Sequence, residues 1–284
     1  MIKKPHWLRV PYVDSEKTDY ISGIINELNL NTVCIEANCP NTAECFSKKT
    51  ATFMILGTNC TRNCSFCNVS PGIPTPVDDD EPQRIALAVK KLRLKYVVIT
   101  SVTRDDLPDR GASHFADVIK EVHKTSPETQ VEVLIPDLSE LKIITDCSPS
   151  VIGHNIETVK SLYPVVRPES DYNRSLNVLK NIKQINPEIM IKSGLMLGLG
   201  ETEKEILETF DDLLYAGCDF LTIGQYLSPG KDNYPVQKYI EPDIFCKYGE
   251  TAIKKGFKNA ISAPFVRSSY NAEKHYHENF SIDK

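Results

Sequence analysis

The sequence contains no apolar stretch approaching the roughly 18 consecutive residues of a membrane-spanning helix, so it does not read as a helical membrane protein. It has no basic excess: 33 Lys and Arg stand against 38 Asp and Glu, a formal net charge of −5. A nucleic-acid binder usually carries a clearly basic face, so that class is disfavoured. The opening residues, Met1-Ile2-Lys3-Lys4-Pro5-His6-Trp7, are basic but have no apolar core behind them, and do not read as a secretory signal. Repeats at solenoid periods and low-complexity stretches are also missing. The expectation is a cytoplasmic protein with neither nucleic acid nor membrane as partner.

What is present is ordinary bulk and unusual cysteine. The 284 residues are 41% apolar and 25% charged, enough for a full core. That length suits two domains or one α/β barrel of about 250 residues. Six of the nine cysteines, Cys34, Cys39, Cys45, Cys60, Cys64 and Cys67, fall in one short stretch. The total is odd and no export signal accompanies it. In a reducing compartment such a cluster more often holds metal than disulfides.

Beyond the cysteine-rich start, short apolar runs alternate with helix-period segments. Strands are predicted at 52–56, 96–100, 131–135, 150–154, 189–192 and 220–223, mostly apolar on both faces as buried parallel strands are. Helices are predicted near 82–89, 113–124, 138–146, 174–185, 203–216 and 242–255. The acidic run Asp78-Asp79-Asp80-Glu81 before Pro82 reads as a favourable helix N-terminus. Six β–α units suggest an α/β fold built as a partial (β/α)6 TIM barrel; a doubly wound open sheet is the rival. Either puts a site at the carboxyl ends of the strands. Polar residues gather there: Thr100-Ser101, Asn155 and Glu157, Lys192-Ser193, and Gln225-Tyr226. Together they suggest a polar ring around one ligand.

Just after the first strand comes Cys60-Thr61-Arg62-Asn63-Cys64-Ser65-Phe66-Cys67, a C-x3-C-x-aromatic-C loop. An iron–sulfur cube usually takes four thiolates, and three leave one iron open to a small molecule. The alternative is zinc on the Cys64–Cys67 pair with other cysteines. A second triplet, Cys34-x4-Cys39-x5-Cys45, implies a second site, again one ligand short.

The first loop resembles the radical S-adenosylmethionine (SAM) superfamily, and both triplets in this order resemble its lipoyl synthase family. Supporting stretches run nearly end to end: KPHWLR at 4–9, TSVTRDDL at 100–107, HNIETV at 154–159, KSGLMLGLGE at 192–201, LTIGQYL at 221–227 and RSSY at 267–270. The resemblance implies a radical SAM partial barrel over 51–230. An N-terminal extension over 1–50 would carry the auxiliary cysteines, and a segment over 231–284 would close the site. It also implies two 4Fe–4S clusters: one on Cys60, Cys64 and Cys67 that binds SAM, and an auxiliary one on Cys34, Cys39, Cys45 and Ser269. Phe66, Thr100, Ser101, Asn155, Glu157 and Arg167 become candidate SAM contacts. Ser268, the neighbour of the implied ligand, is expected to matter far less than Ser269.

The implied reaction inserts two sulfur atoms, taken from the auxiliary cluster, at carbons six and eight of an octanoyl-lysine. The implied partners are octanoylated lipoyl domains or the glycine-cleavage H protein, a ferredoxin or flavodoxin reductant, and an iron–sulfur carrier that rebuilds the consumed cluster. Three departures stand out. The family usually has Gly-Gly at Arg110-Gly111, His at Asn233, and Ser-Gly-Pro at Ser262-Ala263-Pro264. A biotin-synthase-like sulfur inserter is an alternative against which the RSSY ending argues. An electron-transfer module is another, disfavoured by the barrel pattern and the open coordination positions. Gly198-x-Gly200 is too short for a dinucleotide fingerprint, and Cys147, Cys218 and Cys246 read as small buried apolar side chains.

Overall fold

The computed structural model describes residues 3–10 and 16–280. They fall into two compact units, one drawn from Val10–Arg62 and Val69–Ile152, the other from Met1–Arg9, Asn63–Asn68 and Gly153–Lys284, each over its described residues.

The first unit contains strands β1 (Asn31–Thr32), β2 (Thr52–Ile55), β3 (Asn59–Cys60), β4 (Ser70–Pro71), β5 (Tyr96–Ser101) and β6 (Gln130–Leu134), and most of β7 (Val151–Gly153). Strands β2, β5 and β6 pair in parallel, with β1 antiparallel on the outer edge of β2. Phe53, Ile55, Ile99, Val131 and Val133 are almost wholly buried, which is why these strands read as continuous apolar runs rather than alternating ones. Between the strands lie helices Glu81–Leu92 and Ala112–Thr125, packed on one another. Pro82 sits in the first turn of its helix, where its missing N–H costs nothing.

The second unit carries β8 (Met190–Leu197), β9 (Phe220–Gln225) and β10 (Asn259–Ser262), all parallel. Helices Tyr172–Ile185, Glu203–Tyr215 and Pro242–Lys255 accompany them. Asp171 caps the first, and Thr202 with Glu205 forms a reciprocal capping box on the second.

All six expected strands are present, as β2, β5, β6, β7, β8 and β9. Several details differ from expectation. Strands β1, β3 and β4 were not expected, and of the three scattered cysteines only Cys218 is buried, Cys147 being half-buried and Cys246 exposed. Strand β8 does not stop at Lys192 but runs through Gly194 to Leu197. Lys192 and Ser193 are therefore buried mid-strand residues, and Ser193 is satisfied by its neighbours: its hydroxyl donates to His154 O at 2.9 Å and accepts from Ile156 N at 3.0 Å. Strand β10 was not expected: Asn-Ala-Ile-Ser has no apolar run, and it forms because β9 offers it a parallel edge.

Candidate active site

The chain leaves β2 through a sharp corner. Leu56 and Gly57 both have left-handed backbone, φ +68° and +91°. For a leucine that conformation costs about 1–2 kcal/mol, so something must hold it. Glu81 does: its buried carboxylate accepts from Leu56 N at 2.9 Å and from the His114 imidazole at 2.7 Å. Arg104 donates to Leu56 O at 3.2 Å. Gly111 completes the corner, since a Cβ there would lie 2.5 Å from a Leu56 methyl.

Beyond the corner, β3 carries Cys60, whose Sγ accepts from the backbone N–H groups of Arg62 and Thr103, both at 3.4 Å. Arg62 turns inward onto Asp105 at 2.7 Å and Asp137 at 2.6 Å. Burial pulls the Arg62 guanidinium down, but those two carboxylates outweigh it and raise it, while Arg62 holds the Asp105 carboxyl below its usual range. The loop is thus anchored by an ion triad that removal of one member would break at a cost of about 3–5 kcal/mol.

In the other unit, Cys64 and Cys67 lie in the 63–68 segment, with Cys67 N donating to Cys64 O at 3.0 Å. Ser65 N donates to Val166 O at 3.1 Å, Tyr234 N donates to Ser65 O at 2.7 Å, and Asn233 Nδ2 donates to Cys67 O at 2.9 Å. Phe66 packs on Val166, Leu199 and Tyr226, which anchors the loop whatever else the ring touches.

The N-terminal triplet sits on two short helices, Val33–Glu36 and Thr42–Ser47, with Cys39 between them. Cys39 N donates to Cys34 O at 3.0 Å, and the Thr42 hydroxyl lies 2.8 Å from the carbonyls of both Cys34 and Cys39. Burial, then the charges of Cys39 and Cys45, push the Cys34 thiol up to about 12. Burial and Cys39 push Cys45 up to about 11. The Cys39 charge thus acts on both other thiols, and a cation bound beside them would offset it. Among the described residues no three His, Cys, Asp or Glu side chains converge as ligands of one ion would. Thiolates on a cube bind separate irons and need not converge on a point.

The residues expected to form a polar ring divide into groups already satisfied and groups left open. Thr100 spends its hydroxyl on Leu134 O at 2.9 Å. Gln225 is fully engaged, its amide nitrogen lying 3.0 Å from three carbonyl oxygens that share its two N–H groups and its oxygen accepting from Ile240 N. Tyr226 donates to Tyr234 O. By contrast the buried Ser101 hydroxyl and Asn155 Oδ1 have no partner among the described residues. Glu157 holds left-handed backbone, φ +65°, fixed by Glu157 N to Gly194 O at 2.9 Å and Met196 N to Glu157 O at 2.8 Å. Strain in a non-glycine residue held by its surroundings is common at functional positions. Burial pushes its carboxyl up, against the pull of Arg167, the Asn155 hydrogen bond and Arg267. Arg167 donates to Asn155 O at 3.2 Å and to the Tyr163 hydroxyl at 3.0 Å. Gly198-x-Gly200 offers no phosphate cradle: the Glu201 carboxylate already fills it, accepting from Gly198 N at 2.6 Å and Leu199 N at 2.9 Å.

The profile of the Radical SAM superfamily matches residues 54–213, more than half of the chain. Lipoyl synthase from Alkaliphilus metalliredigens is 53% identical over 281 residues, covering 96% of this chain and 97% of that protein. The chain belongs to the lipoyl synthase family. Lipoyl synthase from Caldicellulosiruptor saccharolyticus is 54% identical, covering 95% of this chain and 96% of that protein. For Pseudomonas entomophila the identity is 50%, covering 97% of this chain and 83% of that protein. Among solved structures, the hydrogenase maturase HydG superposes with a TM-score of 0.56 at 14% identity, covering 85% of this chain and 62% of that one. Streptococcus suis SuiB, solved bound to S-adenosylmethionine, also gives 0.56, at 12% identity, covering 79% of this chain and 54% of that one. At such identities the likeness is one of fold, the radical SAM α/β fold.

The departures from the lipoyl synthase pattern now have physical accounts. Arg110 has φ +56°, a conformation in which the usual glycine is at ease; here its guanidinium compensates by donating to Asp137 O at 3.0 Å. Ala263 needs no glycine, because its backbone is not left-handed. Asn233 donates one hydrogen bond that a histidine N–H could equally supply. Sequence reasoning missed Glu81, His114, Arg104, Gly194 and Ser268. Arg104, Gly194 and Ser268 lay inside the family-like stretches at 100–107, 192–201 and 267–270, and Glu81 stood next to Pro82 in the acidic run, but nothing local gave any of them its contacts; His114 carried no signal.

Proposed function

We propose that this chain inserts two sulfur atoms at carbons six and eight of an octanoyl-lysine borne by a lipoyl carrier protein, in the cytoplasm, with sulfur drawn from an auxiliary 4Fe–4S cluster. The observation that carries the reading is the pair of cysteine triplets, built on separate supports within a chain whose relatives match it at 50–54% identity from end to end. The donor chemistry fits: Cys34, Cys39 and Cys45 lie together on two short helices and the turn between them, and Cys60, Cys64 and Cys67 stand in a loop braced by backbone and ion-pair contacts. In this reading Cys60, Cys64 and Cys67 hold the SAM-binding cluster, and Cys34, Cys39, Cys45 and Ser269 the auxiliary one. The segment over 1–50 supplies the auxiliary cysteines, 51–230 the barrel and 231–284 the serine.

SAM bound to an open iron supplies the one-electron chemistry needed to take hydrogen from carbons that no neighbouring group acidifies. The chain's own residues hold and orient. Ser101 Oγ and Asn155 Oδ1 are buried polar atoms that an amino-acid or nucleoside group would satisfy, and the uncommitted burial of either would otherwise cost about 1–3 kcal/mol. Glu157 presents its carboxylate beside Arg167. Ferredoxin or flavodoxin as reductant, the H protein or a lipoyl domain as substrate, and an iron–sulfur carrier for rebuilding complete the reading.

The test is anaerobic reconstitution with iron and sulfide quantitation, followed by product mass on an octanoyl-lysine peptide. About eight irons per chain and a gain of two sulfurs are expected. Zinc as main metal, or about four irons after full reconstitution, refutes the two-cluster reading.

A further inference from the structure

The terminal RSSY segment is delivered to the strand ends by a defined route. Strand β10 runs parallel to β9, then Ala263 N donates to Ile223 O at 3.1 Å and Gln225 N to Pro264 O at 3.2 Å. Gly224 permits the approach: a Cβ there would lie 2.1 Å from Val266 O. Tyr270 N donates to Arg267 O at 3.0 Å and closes a turn over 267–270.

Within that turn Ser268, not Ser269, meets the candidate SAM residues. Asn155 Nδ2 donates to Ser268 Oγ at 2.6 Å and to Glu157 Oε1 at 3.0 Å, so both its N–H groups are committed. The pair rests in a slot that only glycine leaves open. A Cβ on Gly194 would come within 2.8 Å of Asn155 Oδ1 and 2.9 Å of Ser268 Oγ. Gly194 has no left-handed backbone, so its requirement is for space alone. Two positions just past β7, a mid-strand glycine of β8 and the terminal turn thus close on one contact.

We propose that Ser268 is a positioning residue: its hydroxyl, clamped by Asn155 over Gly194, sets the Asn155–Glu157 pair and the seat of its neighbour Ser269 together. This rests on the functional reading above, and it replaces the expectation that Ser268 matters little. If Ser269 binds the auxiliary cluster, a change at that iron pulls on Ser268 and hence on Asn155. SAM binding and sulfur transfer are then linked through one hydrogen bond.

The experiment is a double-mutant cycle on the reconstituted full chain with Ser268→Ala, Asn155→Ala and both, reading SAM affinity by equilibrium dialysis and iron per chain. The ratio of 5′-deoxyadenosine to thiolated octanoyl-lysine peptide is measured alongside. Ser268→Ala is expected to weaken SAM about fivefold, the size of one neutral hydrogen bond, with iron content at the wild-type level and the ratio raised severalfold. In the Asn155→Ala background the same change should have no further effect on SAM affinity, because the contact is already gone. Gly194→Ala should weaken SAM at least as much. Unchanged affinity and ratio in Ser268→Ala, additive losses in the double variant, or loss of iron from Ser268→Ala would each overturn the proposal. Wild-type chain that binds SAM yet makes no thiolated product would refute the functional reading instead, and the affinity cycle would still decide the contact.

Discussion

Replacing Glu81 by alanine tests whether the corner after β2 aims the Cys60 loop. The wild-type carboxylate is nearly inaccessible and serves both Leu56 N–H, at 2.9 Å, and the His114 imidazole, at 2.7 Å. Alanine strands both donors in a buried site. Removing one member of a buried pair costs about 3–5 kcal/mol, and two hydrogen bonds to a charged acceptor, at about 1.5–3 kcal/mol each, give a similar figure. With a urea slope of about 2–3 kcal/mol per molar, the unfolding midpoint should fall by about 1–2 M. Glu81→Gln keeps an oxygen for Leu56 N–H and loses only the charge, so its loss should be about 1–2 kcal/mol. Urea titration by circular dichroism measures both, and SAM cleavage should fall in the same order. An alanine variant within about 1 kcal/mol of wild type, or a glutamine variant as damaged as alanine, would refute the idea that Glu81 holds the corner.

Three further outcomes are expected. Replacing Cys60, Cys64 and Cys67 by alanine should abolish 5′-deoxyadenosine formation, whereas replacing Cys34, Cys39 and Cys45 should leave it measurable but give no sulfur in the peptide product; lipoyl product from the second variant would require another sulfur source. Asn233→His should change product yield less than twofold, because an imidazole N–H can make the one bond to Cys67 O that Asn233 makes; a larger change marks a chemical role at that position. Ser269→Cys should retain both clusters and SAM cleavage but slow single-turnover product formation at least tenfold, since thiolate holds iron more firmly than a hydroxyl; wild-type yield would defeat a labile serine ligand.

The elements themselves were legible because they depend on local pattern. Buried parallel strands are apolar on both faces, so β2, β5, β6 and β9 stand out as runs. Helices such as Pro242–Lys255 show their period and their breakers, here Pro242 in the first turn and Gly256 after the last. The two triplets were legible as spacing along the chain, which needs no folding to be read. Strand β10 was not, since its residues carry no pattern of their own and pair only because β9 is there.

By itself, the sequence determined the α/β series, the two sets of three cysteines and the family to which they belong. Tertiary structure decided which polar groups remain free to act. Thr100, Ser193 and Gln225 look on paper like Ser101 and Asn155, but their donors and acceptors are consumed by backbone from elsewhere in the chain. Gly194 reads as one more strand glycine until Asn155 and Ser268 close over it. A buried polar group must find a partner, and the partner is chosen by proximity in space, which residue order does not encode locally.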